Sequence, residues 1–264
     1  RGFLIGATAG RTTLNGEGLQ HQDGHSHLMA MTNPAVRAWD PAYAYELATI
    51  IKHGIEEMCN EQKDVIHYIT VYNENHPMPA KPSGADEGIL RGLYRLSGGD
   101  GADARLLGSG PIMLQVERAA EMLSERGVSC EIWSVTSYGE LRRDAAESER
   151  WNRLHPSEDE RSSWVTEHLD SSIGTTVAVS DNMMAVPDLI RQWVGGDYVV
   201  LGTDGFGRSD TREALRRFFE IDAEHIVLAT LSSLVRRGKI ESKIYDDAVS
   251  DFGVAFERDD ITSI

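Results

Sequence analysis

Apolar residues fall into two rhythms along this chain. Short runs rich in β-branched and aromatic residues, at 65–72, 104–108, 128–135, 175–179 and 198–202, read as strands. Between them, apolar positions recur at helical spacing: Leu47, Ile50, Ile51, Ile55 and Met58, then Met113, Val116, Ala120 and Leu123, then Val227, Leu231, Leu234 and Val235. Strands alternating with amphipathic helices predict an α/β protein with a mostly parallel sheet flanked by helices. Punctuation supports the pattern. Asp40-Pro41, the capping-box spacing of Asp210 to Glu213, and Asp222 mark helix starts, while Gly127 and Gly238 mark ends. The opening run Phe3-Leu4-Ile5 reads as the middle of a buried strand.

Pro77, Pro79 and Pro82 crowd the segment after the 65–72 strand, and proline neither donates to a ladder nor continues a helix. This break divides the chain into domains at 1–82 and 83–264. The polar stretch 137–172 reads as a solvated helix followed by an irregular connection. The chain opens without an initiator methionine or signal peptide, and is expected to be the C-terminal part of a larger polypeptide.

Charge narrows the choice of partners. Among 264 residues the net charge is −16, which repels phosphate backbones and anionic lipid surfaces, so nucleic acid is disfavoured. No apolar run approaches the roughly 18 residues of a membrane span. Cys59 and Cys130 lie far apart and form no C-x-x-C pair, which points away from a disulfide framework and towards a reduced, cytoplasmic setting.

Polar chemistry concentrates in Gly16-Glu17-Gly18-Leu19-Gln20-His21-Gln22-Asp23-Gly24-His25-Ser26-His27. A glycine-broken run of this kind suits a loop aimed into a cleft, and imidazole is the side chain that titrates near neutrality. Its spacing is a poor metal motif. Gly24 opposes the helix that would align His21 and His25, and Gln22 stands where a zincin has glutamate. Leu107-Gly108-Ser109-Gly110 sits between a strand and a helix like a dinucleotide fingerprint, but Met113 replaces its third glycine. The segment from Gly202 to Asp210 reads as a strand-to-helix connection, with Arg208 and Asp204 or Asp210 making a domain or subunit contact. No G-x-S-x-G elbow is present, and neither cysteine has a basic neighbourhood.

The ribbon from Thr12 to Ser26, together with Asp40-Pro41-Ala42-Tyr43-Ala44-Tyr45-Glu46, Tyr72-Asn73-Glu74-Asn75, Val135-Thr136-Ser137 and the segment from Gly202 to Asp210, resembles the homodimeric-type pyruvate dehydrogenase (acetyl-transferring) family of bacterial pyruvate dehydrogenase complexes. The resemblance runs nearly end to end and is weakest across 145–172. It implies the end of a transketolase-like pyrimidine-binding domain followed by a transketolase C-terminal-like domain. It also implies thiamine diphosphate and Mg2+ as cofactors, pyruvate as substrate, a second copy of the chain in a homodimer, and the lipoyl domain of the acetyltransferase component as acetyl acceptor. Glu17 and His21 fall on active-centre positions of the family motif. His21 is expected to donate a hydrogen bond or proton to the substrate oxygen, and Glu17 to orient an imidazole, join a proton relay or form a structural ion pair. Asp23, His25 and His27 would support the loop.

The resemblance also implies that the main cofactor motifs lie upstream, because Gly99-Asp100-Gly101 lacks the paired asparagines that should follow it. No cofactor-binding or metal residue is therefore assigned here, and the chain alone is expected to be inactive. The alternatives are a non-catalytic dimerisation or interaction module built on 85–264, and a metallohydrolase using the histidine cluster.

Overall fold

The computed structural model describes residues 1–257, 260 and 261. Strand β1 (Gly2–Gly6) leads into the glycine-broken ribbon, which closes on α1 (Ser26–Met31). Then come β2 (Val36–Trp39), α2 (Ala44–Ile55) and β3 (Ile66–Thr70). Among the described residues these strands form one parallel sheet in the order β1-β3-β2.

The second sheet follows the proline segment. Helix α3 (Ala85–Arg91) precedes β4 (Tyr94–Ser97), β5 (Ala104–Gly108), α4 (Met113–Ser124), β6 (Cys130–Ser134), α5 (Tyr138–Leu154), α6 (Trp164–His168), β7 (Thr175–Val179) and β8 (Asp197–Leu201). Helices α7 (Arg212–Phe218), α8 (Ala223–Arg236) and α9 (Ser242–Phe252) close the fold. The strand order is β4-β6-β5-β7-β8, parallel except for β4 against β6. One apolar layer joins Leu106, Met113, Val116, Leu123, Val177, Val227, Leu231 and Leu234, while Leu107, Trp133, Val135, Leu141, Ala178 and Ile190 form the other. The sheet is therefore covered on both faces, as its near-continuous apolar strands require.

Three local expectations are corrected. β1 pairs with β3 alone at the sheet edge and leaves Phe3, Leu4 and Ile5 at 37%, 58% and 47% exposure, so it is no buried central strand. Asp40 does not cap α2. That helix starts at Ala44, and the Glu46 carboxylate accepts from the Ala42 and Tyr43 amides at 2.6 and 3.1 Å, because Asp40 is engaged elsewhere. The capping oxygen of α7 is likewise the Thr211 hydroxyl, which accepts from the Ala214 amide, and not Asp210. Asp222 does cap α8, accepting from the His225 amide at 2.9 Å.

Candidate active site at the junction of the two sheets

In the second sheet the chain order reverses at β5, which has β6 on one side and β7 on the other. Parallel sheets place ligands in the crevice beyond the carboxyl ends of the strands at such a switch point. Here the first sheet's own residues fill that crevice. The Asp40 carboxylate accepts from Ser109 Oγ at 2.6 Å, from Thr70 Oγ1 at 2.7 Å and from the Tyr72 hydroxyl, while its carbonyl accepts from the Gly110 amide at 3.2 Å. A Cβ at Gly110, where φ is +49°, would meet the Tyr72 ring at 2.9 Å. The glycine-rich turn thus admits another part of the protein rather than a dinucleotide.

Two further buried carboxylates tie the same junction. Glu46 accepts from Tyr94 Oη and Ser134 Oγ, both at 2.6 Å and both from the second sheet. Asp181, at 1% exposure just beyond β7, runs the other way. Its Oδ1 accepts from Thr12 N at 2.8 Å and Thr12 Oγ1 at 2.7 Å; its Oδ2 accepts from Thr13 N at 3.1 Å and Thr13 Oγ1 at 2.6 Å. Burial pushes the Asp181 carboxyl above its ordinary range, and the Thr13 and Thr12 donors oppose that shift. A buried carboxylate is tolerated only when its lone pairs are met in this way.

The ribbon leaves Thr13 and returns to the second sheet at Gln22. Gln22 Oε1 accepts from Arg208 N at 2.5 Å and its Nε2 donates to the Arg208 carbonyl, a reciprocal pair resembling one rung of a β-ladder. Met183 N donates to the Gly24 carbonyl at 3.0 Å. Arg11, buried alongside, donates to the Gly205 carbonyl and lies 3.1 Å from His25 Nε2. Burial lowers the Arg11 pKa, opposed by Asp23, Asp181 and Asp204.

Between these anchors, residues 15–17 and 19–21 are exposed, with Leu19–His21 forming a single 3-10 turn. Glu17 and His21 both lie there, and neither side chain hydrogen-bonds or ion-pairs with a described residue. The orientation of an imidazole by Glu17 is therefore absent from this arrangement. The remaining histidines have separate duties. His27 is buried, with Nε2 3.1 Å from Thr70 Oγ1, and His25 is on Arg11. Asp23 accepts from the His25 and Ser26 amides at 3.0 and 3.1 Å and steadies the start of α1; burial raises its pKa, but the Ser26 hydroxyl and those amides outweigh it and leave a net lowering. The three imidazoles thus do not converge, and no group of three or more metal-capable side chains exists among the described residues. Arg208 stacks over the Phe218 ring at 4.1 Å, in addition to its main-chain pairing with Gln22.

Two of the ligand-sized cavities bear on the choice of site. One, of about 650 Å3, lies near the amino ends of β5 and β6, but its polar floor is self-satisfied: Arg105 and Arg95 both pair with Glu131, at 3.2 and 2.9 Å. The other, of about 690 Å3, includes Asn15 of the ribbon with Glu74, Arg212 and Arg216. We place the candidate site on the ribbon side, where the uncommitted titratable groups are.

Asp181, Arg11, Glu46 and Asp40 went unassigned in the sequence as site architecture. For Asp181 the local signal is position, since Ser180-Asp181-Asn182 puts polar residues straight after the apolar run of β7.

Residues 1–79 match the pyruvate dehydrogenase E1 component middle domain, and residues 92–222 match the transketolase-like C-terminal domain. Transketolase from Pichia stipitis superposes with a TM-score of 0.65 over 89% of this chain and 30% of that one, at 18% identity. Transketolase from Leishmania mexicana gives 0.65 over 88% and 30%, at 15% identity. At such identities the likeness concerns fold alone. Sequence relatives are far nearer: the pyruvate dehydrogenase E1 component of Pseudomonas aeruginosa is 52% identical over 97% of this chain, and that of Escherichia coli K12 is 49% identical over 98%. The Mycobacterium tuberculosis E1 component is 50% identical over 92%. The chain spans about 30% of the length of these curated relatives.

The paired parallel sheets with their polar junction define a transketolase-like α/β protein. Domain order and near-50% identity across almost the whole chain then narrow the class. The chain belongs to the pyruvate dehydrogenase E1 component family.

Proposed function

We propose that this chain supplies the proton-donating wall of a thiamine diphosphate-dependent active centre that decarboxylates pyruvate and passes the acetyl group to a lipoyl arm. The observation behind it is the contrast along the ribbon. Its flanks, Thr12-Thr13 and Gln22-Gly24, are bonded to the second domain, whereas Glu17 and His21 between them are exposed and have no side-chain partner among the described residues. A fixed loop presenting an uncommitted imidazole is the arrangement that general acid catalysis needs. His21 would donate to the oxygen of the 2-oxo group as negative charge builds there, and Glu17 would set the local field.

The diphosphate–Mg2+ end of thiamine diphosphate does not fit on the described residues, which bring together no metal-capable group. We read residues 1–82 as pyrimidine-domain sequence and 83–264 as the C-terminal domain, in a cytoplasmic homodimer. Exposed Leu19 and Phe206, at 42% and 50%, offer apolar surface where the other subunit would close over the ribbon. No helix among the described residues is long and apolar enough to cross a membrane.

Replacing His21 with alanine in the full-length enzyme tests this reading. The expected loss in kcat is about 10²- to 10⁴-fold, the usual scale for a general acid, with unchanged secondary structure and assembly. Unaltered kinetics would remove His21 from the chemistry.

A further inference from the structure

We propose that Asp181 is a positioning residue for His21: the second domain holds the base of the ribbon through this carboxylate, and so sets where the imidazole points. The inference rests on the reading of His21 given above and extends the machinery to a residue on the other domain, far away in sequence.

The geometry carries it. Both oxygens of Asp181 are used, each taking one main-chain amide and one hydroxyl from the successive residues Thr12 and Thr13. Two amides and two hydroxyls converging on one planar group fix the orientation of both peptide units as well as their place. The Arg11 amide adds a contact at 3.4 Å to the Asp181 carbonyl, and Arg212 Nε donates to the Thr13 carbonyl at 2.8 Å. After one further buried residue, Leu14, the chain becomes exposed at Asn15 and stays largely so to His21. The far end is bolted to the same domain through Gln22 and Gly24. A loop held at both ends by one rigid sheet has its apex placed by those ends. Asp181 itself is buried and makes no contact with the exposed apex, so any influence on chemistry passes through the ribbon. Its preference for this place over a cheaper apolar residue follows from what it faces: four donors that an aliphatic side chain would leave unmet.

The test is a double-mutant cycle in the full-length enzyme, with steady-state kinetics on pyruvate. Asp181→Asn keeps the shape but turns an NH2 group onto one of the threonine amides. We expect kcat to fall on the order of a hundredfold, the scale of an angstrom-sized misplacement, with KM held within about twofold. If Asp181 acts through His21, the pair Asp181→Asn with His21→Ala is no slower than His21→Ala alone. Losses that multiply in the pair, or an Asp181→Asn enzyme of full kcat, overturn the proposal. If Asp181→Asn fails to fold, Thr13→Val and Thr13→Ser take its place. Loss with valine that is masked by His21→Ala, and recovery with serine, supports the clamp; full activity with valine overturns it. A His21→Ala enzyme with normal turnover defeats the reading of the ribbon itself, and shows in the single variant before the cycle is closed.

Discussion

His67 should make the protein sensitive to mild acid. Its ring is fully buried in β3, where Nδ1 accepts from Trp39 Nε1 at 3.0 Å and Nε2 lies 3.3 Å from the Glu57 carboxylate. Burial depresses its pKa from 6.5 to about 4; Glu57 opposes the shift, while Arg37 and His53 reinforce it. An unfolded chain takes up a proton at this histidine near pH 6.5, and the folded chain refuses it until near pH 4. Between those values the unfolded state binds more protons, so stability is lost as pH falls through that window and is intact above it. A depression of about 2.5 pH units corresponds to about 3 kcal/mol in all, of which about 2 kcal/mol is lost by about pH 5. Urea unfolding at about pH 7.5 and about pH 5 measures this directly, with His67→Gln as reference because glutamine can still accept from Trp39. The native chain should lose about 2 kcal/mol more than the variant over that interval. Equal losses would mean that His67 takes up its proton alike in the folded and unfolded chain, and the argument from its burial would fail.

Two other outcomes follow from the junction. In Gly24→Ala the new methyl would sit 2.7 Å from Arg11 Nε, so the guanidinium must leave the Gly205 carbonyl or the ribbon must shift; the expected cost is about 1–3 kcal/mol in thermal or urea unfolding, and an unchanged midpoint would contradict the close approach. Glu46→Ala removes the acceptor of two amides and of the Tyr94 and Ser134 hydroxyls, and should cost about 3–5 kcal/mol, with Glu46→Gln costing markedly less. Equal destabilisation by both would show that packing volume, not hydrogen bonding, is what Glu46 provides.

What was legible in the sequence was local. The Asp222 cap needs only the His225 amide three residues on, and the β-branched runs of β3, β5 and β7 declare themselves without knowledge of their neighbours. Failures share one cause. Phe3-Leu4-Ile5 has the composition of a buried strand, but burial depends on which strands pair, and β1 stands at an edge. Asp40-Pro41 has the chemistry of a helix start, yet the Asp40 carboxylate is consumed by Ser109, 69 residues away. Asp181 lies 169 residues from Thr12, a separation at which no spacing rule applies. The ribbon was found because its residues are crowded together; the groups that hold it were not, because they meet only in the folded chain.

That division has a physical logic. Asp40, Glu46 and Asp181 are buried at the junction, and each accepts at least one hydroxyl from across it: Ser109 on Asp40, Tyr94 and Ser134 on Glu46, Thr12 and Thr13 on Asp181. Such bonds add only about 1–3 kcal/mol apiece, but they are directional, and breaking one leaves a buried charge or donor without a partner. A junction of this kind resists sliding more than an apolar one of equal area, where contacts can be exchanged. Glu17 and His21 show the reverse: no described residue bonds either side chain, which leaves their donors and lone pairs open to whatever docks against the ribbon. Rigidity is concentrated in the buried carboxylates of the junction, and under the function proposed above it is this rigidity that would hold Glu17 and His21 in place while they stay unbound.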